Sequence, residues 1–390
     1  MTDPIVIIGS GLAGISVARE LRKLDKEMPL TVITADDGVF YSKPNLSNAL
    51  ATGKSPAQLA LTPAPQLASQ LGIELRTHTH IERILPAERR LESDGGKGTI
   101  PYRKLVLALG ARPIRLALAG DAAADVLAVN NLADYAEFRR HHAGKRRVAI
   151  LGAGLIGCEF ANDLRSVGSD GEVAVDVFDL APQPLGRLLP PQSAAFFRDR
   201  LAAAGVNFHF STSIAAIARN GAGFRLTDNH GASHDVDLVL SAVGLQPAVE
   251  LAQAAGLTIN RGIVVDKTLR TSDPLIFALG DCAEVGGLLL PFVMPIMQAA
   301  RALAKTLAAP AAEPNEVVYP AMPVVVKTPA CPSVVCPPPA GAAGTWREQA
   351  DANGVRGIFE NAEGIALGFV LLGEAVKEKP ALAAQMPTWL

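Results

Sequence analysis

Two stretches of this chain repeat one alternation of apolar and polar segments. Ile5-Val6-Ile7-Ile8 is an unbroken apolar run, the pattern of a strand buried on both faces of a parallel sheet. A glycine-rich turn, Gly9-Ser10-Gly11-Leu12-Ala13-Gly14, follows at once, and Val17, Leu21 and Leu24 then recur at helical spacing. A second apolar strand, Leu30 to Ile33, leads to Asp36, and Leu105 to Leu109 later ends in Gly110-Ala111-Arg112-Pro113. The same order then starts again. Val148 to Leu151 enters Gly152-Ala153-Gly154-Leu155-Ile156-Gly157, a helix begins near Cys158-Glu159, and Val173 to Phe178 ends in Asp179. This copy closes with Leu238 to Val243, then Gly244-Leu245-Gln246-Pro247. Each copy reads βαβ, then short polar strands, then a strand ending in glycine.

The glycines give these copies a chemical meaning. In such a turn the first glycine permits the tight reversal, the second lets a pyrophosphate approach the backbone, and the third lets helix and strand pack closely. The helix N-terminus offers unpaired N–H groups and about half a positive charge to the phosphates. An acid about 20 residues on suits ribose hydroxyls, which points to Asp36 and Asp179. One such motif is weak; two in the same strand–turn–helix setting indicate two dinucleotide-binding domains.

A length of 390 residues exceeds what one hydrophobic core usually organises, so two or three domains are expected. A formal net charge of -2 without any Lys/Arg-rich run gives no reason to expect a nucleic-acid partner. The N-terminus lacks the basic start and cleavage site of a secretory signal. The longest apolar stretch, around Leu288 to Met297, holds two prolines and is too short to span a bilayer. The four cysteines, Cys158, Cys282, Cys331 and Cys336, show no disulfide framework and no zinc spacing, so a reducing cytoplasm is expected. His78 and His80 have no ligand-spaced carboxylate or cysteine beside them and are expected to be solvent-exposed, with no metal; His141-His142 reads as the surface of a polar helix.

A third motif breaks the symmetry between the copies. Thr271-Ser272-Asp273-Pro274 is a polar turn, Leu275 to Leu279 an apolar strand, and Gly280-Asp281 its terminus; Pro295 to Leu307 then reads as a helix. Here the chain resembles the flavoprotein reductases with two dinucleotide-binding domains, the superfamily of glutathione reductase and the ferredoxin and rubredoxin reductases. The resemblance implies an α/β fold of two Rossmann-like domains plus a small α+β C-terminal domain. It divides the chain into an FAD domain in two parts (1–116 and 246–316), an inserted NADH domain (117–245) and a C-terminal domain (317–390). It implies one non-covalent FAD, with Asp281 on the flavin ribitol and the helix read from Pro295 to Leu307 aimed at the flavin pyrimidine.

Tyr41-Ser42-Lys43-Pro44-Asn45-Leu46-Ser47 is similar to the superfamily element that lays a basic residue against FAD, and Met322 to Pro332 looks like the opening of the C-terminal domain of bacterial rubredoxin reductases. FAD contacts then carry over to Gly9, Gly11, Leu12, Ala13, Gly14, Asp36, Lys43, Pro44, Ala108, Gly110, Arg112, Gly280, Asp281 and Val293. NADH contacts carry over to Gly152, Gly154, Gly157, Glu159, Asp179 and Gly244. Glu159 and Lys327 resemble catalytic groups: the glutamate near the flavin–nicotinamide contact, the lysine as a stabiliser of negative charge on reduced flavin. For Glu159 the plain alternative is a first-turn acid favoured by the helix dipole, and for Lys327 a surface lysine at a strand end.

The cysteines narrow the family. No pair or single cysteine stands where thiol-relay relatives need one, so electrons must pass directly from flavin to an outside carrier. The implied partner is a separate acidic rubredoxin, with ferredoxin as second candidate, in an alkane-hydroxylating or oxidative-stress chain. Lys43, Lys54, Arg301, Lys305 and Lys327 are the basic residues expected near the flavin edge. An oxygenase-coupled ferredoxin reductase, a nitrite-reductase flavin subunit and an NADH-sensing regulatory flavoprotein are the competing readings. Three positions depart from the superfamily: Asn48 stands where related reductases carry a lysine, Leu109 replaces a threonine, and Asp36 replaces a glutamate. The first removes the usual source of a Lys–Glu pair under the flavin.

Overall fold

A computed structural model of the protein describes residues 3–94, 98–166, 173–309 and 315–390. The apolar run Ile5–Ile8 forms the centre of a five-stranded sheet and is buried on both faces. Leu30–Ile33 and Lys104–Leu107 flank it in parallel, with Glu74–Arg76 and Ile276–Ala278 at the edges. Full burial of each such side chain contributes about 1.5–3 kcal/mol, which explains why alternation is absent from these strands. The edge strand Ile276–Ala278 reaches this sheet only after the chain has completed a second one.

That second sheet has four parallel strands in the order Val206–Phe210, Ala174–Asp179, Arg147–Leu151 and Leu238–Ser241. Each sheet carries a three-stranded antiparallel meander, Ile81–Pro101 in the first copy and Ile214–Val236 in the second. The outward and return strands between the copies, Ala111–Pro113 and Leu245–Pro247, pair antiparallel. Two short connections thus hinge one copy onto the other.

Helix Leu12–Leu24 buries Ile15, Val17, Ala18 and Leu21 and packs on helix Val293–Ala308, which begins two residues before the predicted start. The C-terminal region is a five-stranded antiparallel sheet in the order Val324–Val326, Ser333–Cys336, Ala366–Gly373, Gly354–Glu360 and Thr345–Ala350, followed by the short helix Lys379–Ala383. No helix among the described residues is long and apolar enough to cross a membrane. His78 and His80 are exposed. His142 is half-buried rather than a surface residue: its ring stacks on Phe138 at 5.8 Å, and burial pulls its pKa down.

Candidate active site

The two glycine turns have the same steric plan. A Cβ on Gly9 would stand 2.2 Å from the carbonyl oxygen of Ala108, and one on Gly14 would stand 1.9 Å from that of Gly9. In the second turn a Cβ on Gly152 would meet the Ala242 oxygen at 2.5 Å, and one on Gly157 the Gly152 oxygen at 1.9 Å. Gly9 and Gly152 also hold φ of +114° and +108°, where other residues are strained. At the middle positions, Gly11 and Gly154, a Cβ would meet nothing within 4 Å. The first and third glycines are therefore demanded by the chain's own packing, and the second faces open space beside a helix N-terminus. That open face fits a pyrophosphate, and the helix behind Gly11 has no side-chain cap to occupy its first-turn N–H groups at Leu12 and Ala13.

The acids at the strand ends are held differently. Asp36 takes Thr34 Oγ1 at 2.6 Å, Gly38 N–H at 2.9 Å and Ser10 Oγ at 3.4 Å on one oxygen, Oδ1. Its other oxygen accepts nothing among the described residues and is available to a ribose. Asp179 accepts the Ala153 N–H at 2.5 Å on Oδ2 and the Ala181 N–H at 2.7 Å on Oδ1. It therefore braces the second glycine turn and keeps a lone pair free on each oxygen.

Around the first turn, Gly280 (φ +80°) lies so close that a Cβ there would stand 2.9 Å from Ala13 Cβ. This brings Asp281 to the mouth of the cradle. Burial pushes the Asp281 carboxyl up, and the Lys43 ammonium opposes that shift. Burial lowers the pKa of Lys43 in turn, opposed by Asp281 and Asp134. Neither side chain makes a direct hydrogen bond or ion pair among the described residues. Two desolvated opposite charges that feel each other without touching fit a polar group lying between them, as a flavin ribitol and pyrimidine would.

Other predicted contacts separate. Gly110 (φ +70°) and Gly244 (φ +118°) line the exits toward the hinge. Arg112 lies on the hinge strand itself and pairs at its exposed end with Glu250 at 3.5 Å. Val293 opens its helix and is 41 % exposed.

The catalytic candidates meet. Glu159 is 1 % exposed, and its Oε2 accepts Lys327 Nζ at 2.5 Å and Ser47 Oγ at 2.5 Å. Its Oε1 accepts the Lys327 backbone N–H at 3.0 Å. Lys327 Nζ also donates to the Pro44 carbonyl at 2.7 Å and to Ser47 Oγ at 2.9 Å. One residue from each region of the chain thus joins a single buried network. A Lys–Glu pair exists despite Asn48, because the C-terminal sheet supplies the lysine. Lys327 is neither a surface residue nor free for docking, since acceptors occupy its three N–H groups. Of the expected basic face, Lys54, Arg301 and Lys305 remain exposed.

Sequence reasoning missed Ser47, Asn162 and Asp163. Their signal was a helical one: Asn162 and Asp163 fall three and four residues after Glu159, on the same helix face.

The fold and these paired cradles define an α/β reductase built on two dinucleotide-binding halves. The family model of pyridine nucleotide-disulphide oxidoreductases matches residues 3–306, and the chain belongs to that family. A second model, the rubredoxin binding C-terminal domain, matches residues 316–386. The chain is 47% identical to a rubredoxin-NAD(+) reductase of Alcanivorax borkumensis over 98% of both chains. It is 47% identical to another of that name from Acinetobacter baylyi, again over 98% of each. Among solved structures, a ferredoxin reductase for the CYP199A2 system of Rhodopseudomonas palustris superposes with a TM-score of 0.87 at 28% identity, covering 99% of this chain and 96% of that one. The protein is an oxidoreductase that uses FAD and NADH.

Proposed function

We propose that the chain passes electrons from NADH through FAD to rubredoxin. The observation that carries this reading is the joined architecture: a C-terminal sheet matching the rubredoxin binding domain reaches, through Lys327, into the buried network of the coenzyme helix. FAD supplies the conversion of a two-electron hydride donor into single electrons. Asp281 and Lys43 hold and orient the flavin, and the open faces at Gly11 and Gly154 take the two pyrophosphates. Glu159 and Lys327 keep a fixed, compensated pair of charges beside the site.

The thiols take no part. All four cysteines are buried and free. Burial pushes Cys282 up to about 11 and Cys336 up to about 12, and raises Cys158 and Cys331 as well. At neutral pH none offers the thiolate that a disulfide relay requires. Free thiols without a disulfide also support a cytoplasmic setting. The hinge pairing of Ala111–Pro113 with Leu245–Pro247 supports domain limits at 116/117 and 245/246, with the C-terminal domain from 317.

The experiment is NADH oxidation with purified rubredoxin and ferredoxin as alternative acceptors. Rubredoxin should be reduced faster; faster ferredoxin reduction would overturn the reading in favour of an oxygenase-type reductase. Because Lys43 and Lys327 are turned inward, salt should slow the rubredoxin reaction only moderately, through the exposed Lys54, Arg301 and Lys305.

Coenzyme choice follows from Asp179. A ribose 2′-hydroxyl can donate to its remaining lone pairs, whereas a 2′-phosphate meets a like charge. No arginine stands between Leu180 and Gly186 to neutralise it. NADH should exceed NADPH in kcat/KM by at least ~10-fold, the scale of one hydrogen bond to a charged group. Equal values for the two coenzymes would remove this role from Asp179.

A further inference from the structure

Helix Leu155–Ser166 buries three polar side chains along one face: Glu159, Asn162 and Asp163 are 1 %, 3 % and 1 % exposed. Their main partners lie outside the coenzyme domain. Asn162 Oδ1 accepts the Ala330 N–H at 3.0 Å, in the C-terminal region. The Asp163 carboxylate accepts the N–H groups of Leu50 and Ala51, each at 2.9 Å, at the end of the segment that begins with Lys43 and Pro44. Leu46, Ala49, Leu50 and Cys331 belong to the same apolar cluster as the helix, so the Leu50 N–H is shut away from water, whereas Ala51 lies at the surface. The same helix opens on the coenzyme glycine turn.

We propose that Asn162 and Asp163 are positioning residues of the electron path: the coenzyme helix sets the FAD-side segment 43–51 through Asp163 and the acceptor-side segment 327–330 through Asn162. The acceptor half of this inference rests on the rubredoxin reading above. The flavin half does not need a particular acceptor. Two backbone N–H groups fix the direction of the Asp163 carboxylate, and Ala51 and Leu50 cannot shift without breaking both bonds. Around Asp163 stand Lys327 from the C-terminal region, Arg139 and Tyr135 from helix Leu132–His142, and Glu159 on its own helix. Burial outweighs those two bonds and both cations, raising the carboxyl to about 6. A carboxyl raised in the folded state contributes stability that is full below its unfolded pKa of about 3.9 and lost as pH rises through the folded value.

Two substitutions separate the two halves. Asn162→Leu removes the acceptor at similar volume, and Asn162→Asp keeps an oxygen for Ala330. In N162L the KM for rubredoxin should rise ~10-fold, the scale of one orphaned N–H, and by more than any loss of NADH-driven ferricyanide reduction. N162D should recover most of that KM. Asp163→Asn can offer its single oxygen to only one of the two N–H groups. D163N should loosen FAD binding ~10-fold and shift the visible flavin band, with a Tm deficit against wild type that narrows from pH 5 to pH 7. An unchanged rubredoxin KM in N162L, an equal loss with ferricyanide, or a D163N protein with unaltered flavin affinity and spectrum would each overturn the proposal. A wild-type protein that leaves rubredoxin oxidised would overturn the functional reading instead, and the D163N flavin measurements would still decide this one.

Discussion

Replacing Lys327 by methionine should cost the protein about 3–5 kcal/mol of stability, the usual penalty for stranding one partner of a buried ion pair. Glu159 is 1 % exposed and would keep only the Ser47 hydroxyl and the Lys327 backbone N–H as donors. A carboxylate left with two neutral donors keeps its desolvation cost without a compensating charge. The double variant Lys327→Met with Glu159→Gln removes both charges and should recover most of the loss. Urea denaturation of the three proteins measures this directly. A single K327M variant as stable as wild type would show that the pair is better solvated than its burial implies. Flavin absorbance in the same samples reports whether the pair's field reaches the cofactor: a spectrum unmoved in a stable double variant would leave the pair a purely structural role.

What the chain made legible is what its local sterics dictate. Gly9, Gly14, Gly152 and Gly157 are forced by backbone approaches of 1.9–2.5 Å for a hypothetical Cβ, and such constraints leave a mark within six consecutive letters. The apolar runs were equally readable, because a strand buried on both faces cannot alternate. Asp281 was singled out by the resemblance and not by sterics, as the acid that follows Gly280 at the strand terminus.

The Glu159 network was only half legible, because its members lie far apart in sequence. Ser47, Glu159 and Lys327 are separated by 112 and 168 residues, and nothing local marks them as partners. Asn48 closes the usual route to a Lys–Glu pair, and the fold opens another through Lys327. A charge can be supplied from any element that reaches the same point, and here the C-terminal sheet reaches it. Of the basic residues expected near the flavin edge, Lys327 is engaged by Glu159, and Lys54, Arg301 and Lys305 stay exposed. The helix expected to begin near Cys158-Glu159 runs from Leu155 to Ser166. Its buried polar stripe becomes intelligible only once two further segments are seen to lay backbone N–H groups against it.

Asp281→Ala should weaken flavin retention by roughly 1.5–3 kcal/mol, about 10- to 100-fold in Kd, by removing a desolvated charge-assisted acceptor. The carboxyl is raised by burial, and its only opposing influence of note is Lys43, which it does not contact. Such a group is destabilising by itself, because burial without a partner carries a desolvation cost. A bound flavin hydroxyl would offset that cost, so the unloaded protein should tolerate D281A well or gain stability while the loaded protein loses flavin. This opposition distinguishes a ligand-binding aspartate from a turn cap, whose loss would destabilise both forms alike. Asp281→Asn keeps an oxygen without the charge and should fall between. Lys43 gives an independent check: without Asp281 its ammonium loses a favourable neighbour, so its pKa, already lowered by burial, should fall further. Equilibrium dialysis for FAD and thermal melts of the flavin-free proteins test both limbs. A D281A variant that holds flavin with unchanged affinity, or whose flavin-free form is markedly less stable than wild type, would move the FAD contact away from this residue.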